Sequence, residues 1–450
     1  MIKNSKIIYL FILILLSNCS FDNVTGIWSG SEKEKKRISD LAMEQNRIIS
    51  TEKIYSPDQF IYSTEILLKQ NIILTKPKKN SSWEMSTLNH QNFLGNIYLT
   101  GAENIFFKKK IGKNKFDLLQ VKSSPLISEN NIILSDDRGS IFFTSDRGNV
   151  IWKKNIYKKI YKKIYKNLNF TLYNDNLYVA DNIGFIYAIS LDSGKVIWIK
   201  NHGIPFKSNI KIFKDKIYAI NQDNRILSFN TKDGSKLWDV RSISSFIKSQ
   251  NFLSIAVTKQ GNVVVINSSG DLIKIKGSSG GILWSVSTSS SLLVDATDFF
   301  KSSNLVIDDN AIFFSAESSF YSYNLSNGSL NWSKDISFTG TPIIDKKNIF
   351  FVTDNGYFVI MDKANGEIIS STNILKILKK RKQATKITGF IMGSGKIYSV
   401  TLNGYLIVTS ASSGQVEYFK KIGEDVVASP VISDGNLYIV TRSSKIIGFN

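Results

Sequence analysis

The chain has 450 residues, 42% of them hydrophobic and 12% aromatic, with a formal net charge of +20 and a single cysteine. That apolar content excludes a wholly disordered polymer and suffices for one large domain, or for an array of repeats sharing a core. One cysteine excludes an internal disulfide and a cysteine-built metal cluster. Scarce Pro beside abundant Tyr, Phe, Ile and Val favours strands over helices.

Lys3 and Lys6 precede an unbroken apolar run over residues 7–16. Ten apolar residues are about half of the roughly 20 a membrane-crossing helix needs, so residues 1–18 read as a signal peptide. The run ends in Leu16-Ser17-Asn18-Cys19, which resembles the lipobox of bacterial lipoproteins. The resemblance implies lipidation of Cys19, and Ser20 after it is compatible with sorting to the outer membrane; lipid chains anchor a protein without making it span the bilayer. Export argues against a nucleic-acid partner despite the basic charge. The excess of Lys, accompanied by Ile and Asn, fits codon drift and solubility, with attraction to anionic lipid head groups as the other reading.

Residues 19–80 lie outside any repeat and read as a lipidated N-terminus and tether. Within them, residues 31–49 mix Glu, Lys and Arg with Ile38, Leu41, Met43 and Ile48, which suits a short solvated helix or a flexible spacer. Residues 76–80 read as a linker.

From residue 81 onward a closing stroke recurs, a Gly followed four positions later by an aromatic residue. It ends at Trp152, Trp198, Trp238, Trp284 and Trp332, with weaker copies ending at Ser370 and Tyr418, and Phe107 stands in register before them; neighbouring ends are 38 to 48 residues apart. Between strokes, short apolar runs alternate with Asp, Asn and Gly turns, as in Asn174-Asp175-Asn176 and Asp192-Ser193-Gly194. A strand-built repeat of this length predicts propeller blades. After Tyr418 only three strands remain, so the missing outer strand is expected from residues 105–110, closing the ring and covering both edges. The reading is an all-β, eight-bladed propeller of four-stranded antiparallel blades over residues 81–450. A seven-bladed ring with residues 87–120 outside it is the alternative. The stroke aromatics are expected to hold blades together.

Trp83, then Asn89-His90-Gln91-Asn92, then Phe107 resemble the opening of the outer-membrane assembly lipoprotein BamB family and its PQQ-like propeller relatives. The family implies a non-enzymatic scaffold, without cofactor, that docks on the periplasmic POTRA domains of BamA, meets other subunits of the machinery and aids delivery of unfolded outer-membrane proteins. The docking loops it implies fall at Phe246, Ile247 and Lys248 and at Asp295, Asp298 and Phe299. The alternative is a quinoprotein-like propeller, enzyme or sensor, binding pyrroloquinoline quinone. Against enzymatic activity, two histidines, His90 and His202, cannot build a His-rich metal site, and no nucleophile elbow, P-loop or zinc-protease motif occurs. His90 is expected to hydrogen-bond a loop and His202 to cap one. Two basic insertions, residues 158–166 and 375–382, read as solvated loops or as contacts to a membrane or an acidic protein.

Overall fold

In the computed structural model the described residues are 32–52, 62–68, 70–116, 124–241, 249, 251–288, 300–379 and 385–450. They form eight four-stranded antiparallel sheets. Seven are consecutive meanders, over residues 126–154, 168–201, 211–241, 255–287, 306–334, 343–373 and 387–421 (blades 1 to 7). Blade 8 takes three strands from residues 431–449 and its outermost strand from β1 (Ile105–Lys110). Strand β1 pairs with the last strand, Lys445–Phe449, Ile105 facing Phe449 and Lys110 facing Lys445. Asn104 and Asn450 exchange both backbone hydrogen bonds at 3.0 Å. The fold is the eight-bladed ring, and the seven-bladed alternative falls.

Each blade grades from buried to exposed. Its middle strands are almost wholly apolar, as in Val263–Ile266 and Asn348–Val352, and buried at every position, because sheets pack on both of their faces. Its fourth strand alternates, as in Ile282–Ser287, because one face meets solvent. Hairpins between first and second strands use positive φ at Asn174 (47°) and Asp175 (58°), the geometry that suits the twist of two-residue loops.

All eight stroke residues sit in fourth strands, on the same rung. Trp238 faces Ser228, Trp284 faces Lys274, Trp152 faces Phe143 and Phe107 faces Gly448, each the fourth residue of the neighbouring strand or its equivalent. The reason for the glycine lies one blade on. Trp198 donates its indole N–H to Thr231 O at 2.8 Å, and its ring lies so close to Gly234 that an added Cβ would sit 2.5 Å from it. Gly234 also has φ +68°, so an L side chain is excluded by conformation as well as by space. The same pair recurs as Trp152 with Gly194, Trp238 with Gly280, Trp284 with Gly328 and Trp332 with Gly366. Where blade 7 meets blade 8 the partners change to Tyr418 and Glu103, and the contact becomes a hydrogen bond of 3.2 Å.

Two segments expected in the tether lie on the ring. Residues 32–52 form a helix, α1 (Glu32–Glu52), docked by its Ile38 and Leu41 face. Residues 62–68 and 70–80 lie over blades 6 to 8: Ile66 and Ser371 exchange backbone hydrogen bonds at 2.9 Å, Thr75 donates to the Asp345 carboxylate, and Asn80 donates to Ile432 O at 2.7 Å.

Because the indole and the glycine share one space, their substitutions are coupled. Trp198→Ala should lower the urea midpoint by an amount equivalent to about 3–5 kcal/mol. Gly234→Ala should cost about 1–3 kcal/mol in the presence of Trp198, and less in its absence, since the cavity accepts the new methyl. Additive losses in the double variant would refute the contact as the reason for the glycine.

Candidate functional site

The centre of the ring is organised by a belt, residues 83–100, that passes the innermost strand of every blade in turn. Trp83 exchanges backbone hydrogen bonds with Ile127 of blade 1 (2.7 and 2.9 Å), and Leu172 of blade 2 donates to Glu84 O at 2.8 Å. Lys211 of blade 3 donates its ammonium to Asn89 O (2.9 Å) and Thr87 Oγ1 (3.0 Å). Val257 of blade 4 donates to His90 O (2.7 Å), and Ile307 of blade 5 to Gln91 O (3.1 Å). The buried amide of Asn92 joins those two blades, donating to Ile255 O and Leu305 O at 2.9 and 2.7 Å. Gly95 passes Ile344 of blade 6, Ser394 of blade 7 donates to Ile97 O (2.8 Å), and Thr100 donates to Gly435 O of blade 8 (3.0 Å).

Above the belt lies a chamber of about 460 Å³. Trp83, Ser86, Thr87 and Leu94 of the belt form its floor. Its wall is built from the residues leading into the inner strands, such as Asn167, Asn209 and Asn304, and from hairpins such as the one holding Asp354. Leu41, Glu44 and Gln45 of α1 complete it on one side. The wall is polar because each blade presents here a hairpin and the connection from its neighbour, whose backbone groups need side-chain or solvent partners.

Specific polar contacts seat α1. Arg37 donates to Ile183 O (2.7 Å) and Gly203 O (3.1 Å) and pairs with Glu34 at 2.7 Å, while Tyr161 donates to Glu34 at 2.9 Å. Burial opposes ionisation of Glu34, but Arg37 outweighs it and holds the carboxyl below its usual range. Gln45 binds the peptide of Tyr165 from both sides, and Gln222 donates to Glu44 at 2.8 Å. The first basic insertion is therefore not a solvated loop: Tyr161, Ile164, Tyr165 and Lys166 are buried, because their aromatic and apolar faces fill the space between blade 2 and α1. In the second insertion Leu375 and Leu378 are buried, as is Ile374 just before it, while Lys376 pairs with Glu65 at 2.5 Å; residues 380–384 lie outside the described residues.

A buried charged cluster adjoins this seat. Asp181 accepts from Tyr157 Oη (2.5 Å) and from the backbone N–H groups of Ile183, Gly184 and Phe185. Burial dominates and pushes its carboxyl up to about 6, and burial also draws the ammonium of Lys166 down to about 8 against the pull of Asp181, Asp137 and Asp136. Lys211, enclosed beneath the chamber, is drawn down to about 7 by burial.

The perimeter is the second feature. Fourth strands expose aliphatic side chains in succession: Val150 and Ile151, Ile197, Leu237, Ile282 and Leu330 are 43% to 56% exposed. Each such strand is bonded to its own blade on one side only. At blade 6 that outer edge is taken by the chain's own Ile66.

The residues singled out in the sequence are dispersed. Cys19 and the implied docking residues Phe246, Ile247, Lys248, Asp295, Asp298 and Phe299 lie outside the described residues, the last six within the connections from blade 3 to 4 and from blade 4 to 5. The imidazoles of His90 and His202 serve packing: each Nε2 is buried without a partner, and the rings lie 5.5 Å from Phe213 and 4.7 Å from Phe229. His90 reaches its neighbour through its carbonyl instead. Burial holds both imidazoles below their usual pKa, hence neutral. No local sequence pattern marks the chamber, because its lining is drawn singly from connections of all eight blades, from Ser124 to Pro430. Among the described residues no three His, Cys, Asp or Glu side chains are grouped to hold a metal ion, and no helix is long and apolar enough to cross a membrane.

The family model for outer membrane protein assembly factor BamB matches residues 137–372, from the second hairpin of blade 1 through the last strand of blade 6. The chain belongs to this family. The outer membrane protein assembly factor BamB of Moranella endobia is 22% identical over 301 residues, 61% of this chain and 72% of that protein. The crystal structure of BamB from Moraxella catarrhalis superposes with a TM-score of 0.59 at 11% identity, covering 76% of this chain and 99% of that one. Quinohemoprotein alcohol dehydrogenase from Comamonas testosteroni reaches 0.63, also at 11% identity, over 82% and 80%. At such identity the two superpositions establish the ring alone.

Two expectations follow for the region around α1. Exchanging Arg37 and Gln45 for Ala together should raise amide hydrogen exchange across residues 32–52 and leave the strands of blades 4 to 8 as protected as before. A carboxyl that titrates near 3.8 when unfolded and about 6 when folded is favoured protonated in the fold. Its stabilisation is complete below the lower value and lost as pH rises through the higher one. The stability difference between the native chain and Asp181→Asn should thus grow by on the order of 2–3 kcal/mol as pH falls from about 7 to 4, measured by urea titration.

Proposed function

We propose that this chain is a non-enzymatic scaffold lipoprotein of the outer-membrane β-barrel assembly machinery. Residues 1–18 are its removed signal peptide, and lipid on Cys19 anchors it to the periplasmic face of the outer membrane. The observation that carries the reading is the family match across residues 137–372. In this role the ring docks on the POTRA domains of BamA through the connections holding Lys248 and Asp298, and its perimeter holds unfolded outer-membrane proteins by strand addition. Two features support the second part. Outer edges of blades 1 to 5 carry exposed aliphatic side chains, as strand addition requires alternate apolar contacts beside main-chain bonding. The edge of blade 6 already accepts a short extended segment, through Ile66.

The quinoprotein reading has less support in the residues. Pyrroloquinoline quinone carries three carboxylates, whereas the chamber offers two ammonium groups, Lys207 and Lys301, balanced by Glu44 and Asp354. Asp354 already accepts from the backbone N–H and hydroxyl of Thr339 at 3.0 and 2.8 Å.

Reversing charge at both Lys248→Glu and Asp298→Lys should weaken capture of the BamA periplasmic region about tenfold or more, with circular dichroism and melting midpoint unchanged. Unaltered co-purification would remove the docking assignment. A melting midpoint raised by quinone and calcium together would transfer support to the quinoprotein reading.

A further inference from the structure

The two ends of blades 1 and 2 differ in charge, and the basic end is the one that carries α1. Arg37, held by Glu34 and by the carbonyls of Ile183 and Gly203, fixes the helix there. With Ile38 and Leu41 turned to the ring, Lys33, Lys35 and Lys36 stand exposed on its outer side. Residues 158–166 pack beside the helix through Tyr161, whose hydroxyl donates to Glu34 at 2.9 Å, and leave Lys159, Lys162 and Lys163 exposed at the same end.

The basic surface continues over blade 1. The ring of Phe116 lies 6.1 Å from that of Tyr165, the backbone N–H of Lys115 donates to Asp137 at 2.6 Å, and Asn155 donates to Arg138 O at 3.2 Å. Lys113, Lys115 and Arg138 are exposed. Against these cations, the described side chains of the same segments expose two acids, Glu32 and Asp40, while Glu34 and Glu44 are bonded inward to Arg37 and Gln222. At the opposite end of these two blades the turns expose Glu129, Asp175 and Asp192 beside Arg147 and Lys195. Charge that serves solubility is interspersed in sign over a surface. Here one sign is gathered at one end, which fits a broad acidic surface laid against it.

The N-terminus indicates which acidic surface lies nearest. Glu32 follows Cys19 by 13 residues. A chain extends at most about 3.6 Å per residue, so lipid on Cys19 keeps α1 within roughly 50 Å of the bilayer. Basic segments beside a membrane anchor are drawn to anionic head groups. Met43, 61% exposed and two helical turns beyond Lys36 on the same outer stripe, offers an apolar group to the head-group layer.

We propose that this end of the ring rests on an anionic phospholipid surface, with the lysines of α1 and of residues 158–166 against the phosphate groups. The direction of approach rests on the lipidation of Cys19 proposed above. The contact orients the ring with blades 1 and 2 toward the bilayer and the acidic turns away from it.

The test uses the mature chain purified from membranes and reconstituted on vesicles of phosphatidylcholine alone or with about 30% phosphatidylglycerol. Lysine acylation, read by mass spectrometry, should fall about threefold or more at Lys33, Lys36, Lys159, Lys162 and Lys163 on the anionic vesicles. Lys195 and Lys232, at the opposite end, should react equally on both. The protection should vanish near 1 M salt, where the screening length shrinks to about 3 Å. Lys159→Glu, Lys162→Glu and Lys163→Glu together should return Lys33 and Lys36 to their reactivity on phosphatidylcholine, with the melting midpoint unchanged because all three side chains are exposed. If that variant fails to fold, Lys33→Glu with Lys36→Glu is read at the other three lysines instead. A chain that floats with anionic vesicles but not with phosphatidylcholine ones would remove the lipid anchor and still support the patch. Equal acylation on both kinds of vesicle overturns the proposal, as does protection that spreads to Lys195 and Lys232 or persists in a folded, charge-reversed chain. Protection that appears only on adding the BamA periplasmic region would assign the lysines to an acidic protein surface and overturn it too.

Discussion

The ring depends on an indole of one blade laid over the glycine of the next. A blade alone is a twisted sheet with two apolar faces, and neither is buried until a neighbour arrives. The fourth strand is the thinnest part of that contact, since its outer side meets water. Trp198, Trp238 and their counterparts supply there what a small side chain cannot, a large apolar surface together with a donor aimed at the neighbour's carbonyl. The glycine follows from this geometry, because the indole occupies the volume of its Cβ. One contact thus dictates two residues in each repeat, and dictates them in different blades.

A ring of such pairs has one weak point, where the chain begins and ends. Here the pair is Tyr418 and Glu103, and Ser370 has replaced the aromatic at the end of blade 6. The N-terminal segments concentrate on the same arc. Ile66, Thr75 and Asn80 bind blades 6 to 8, and β1 completes blade 8. The belt then hydrogen-bonds blades 1 to 5, 7 and 8 to one continuous segment, so that separating those blades also breaks bonds at the centre. Its cost is the burial of Lys211 and Asn92, whose polar groups are satisfied by belt and strand carbonyls.

Legibility in the sequence followed this division. Strand order, blade count and the donation of residues 105–110 to the last blade were readable, because period-two alternation and Gly-to-Trp spacing are local signals repeated seven or eight times. The belt was not, since it occurs once and its partners are scattered from Ile127 to Gly435. Residues 158–166 illustrate the same limit. Lys158-Lys-Ile-Tyr-Lys-Lys-Ile-Tyr-Lys reads as a basic run, and only the fold shows Tyr161, Ile164 and Tyr165 turned inward against α1 while most of the lysines stay outside. Composition records how many charges a segment has; burial depends on which side of it faces a neighbour.

The chamber exists because of what the belt does to the channel. An open channel through eight blades would be lined by inner-strand backbone and filled by solvent from both ends. Closing one end with Trp83 to Leu94 converts the remainder into a blind cavity, and α1 narrows the mouth on the side of blades 2 and 3. The rim residues also join blades, as Asn304 does by donating to Thr341 at 2.8 Å and Ser124 by donating to Ser429 O at 3.0 Å. Each repeat thus joins its neighbours at two radii: the fourth strand carries the indole contact, and the approach to the first strand carries polar groups that both face the centre and bridge blades.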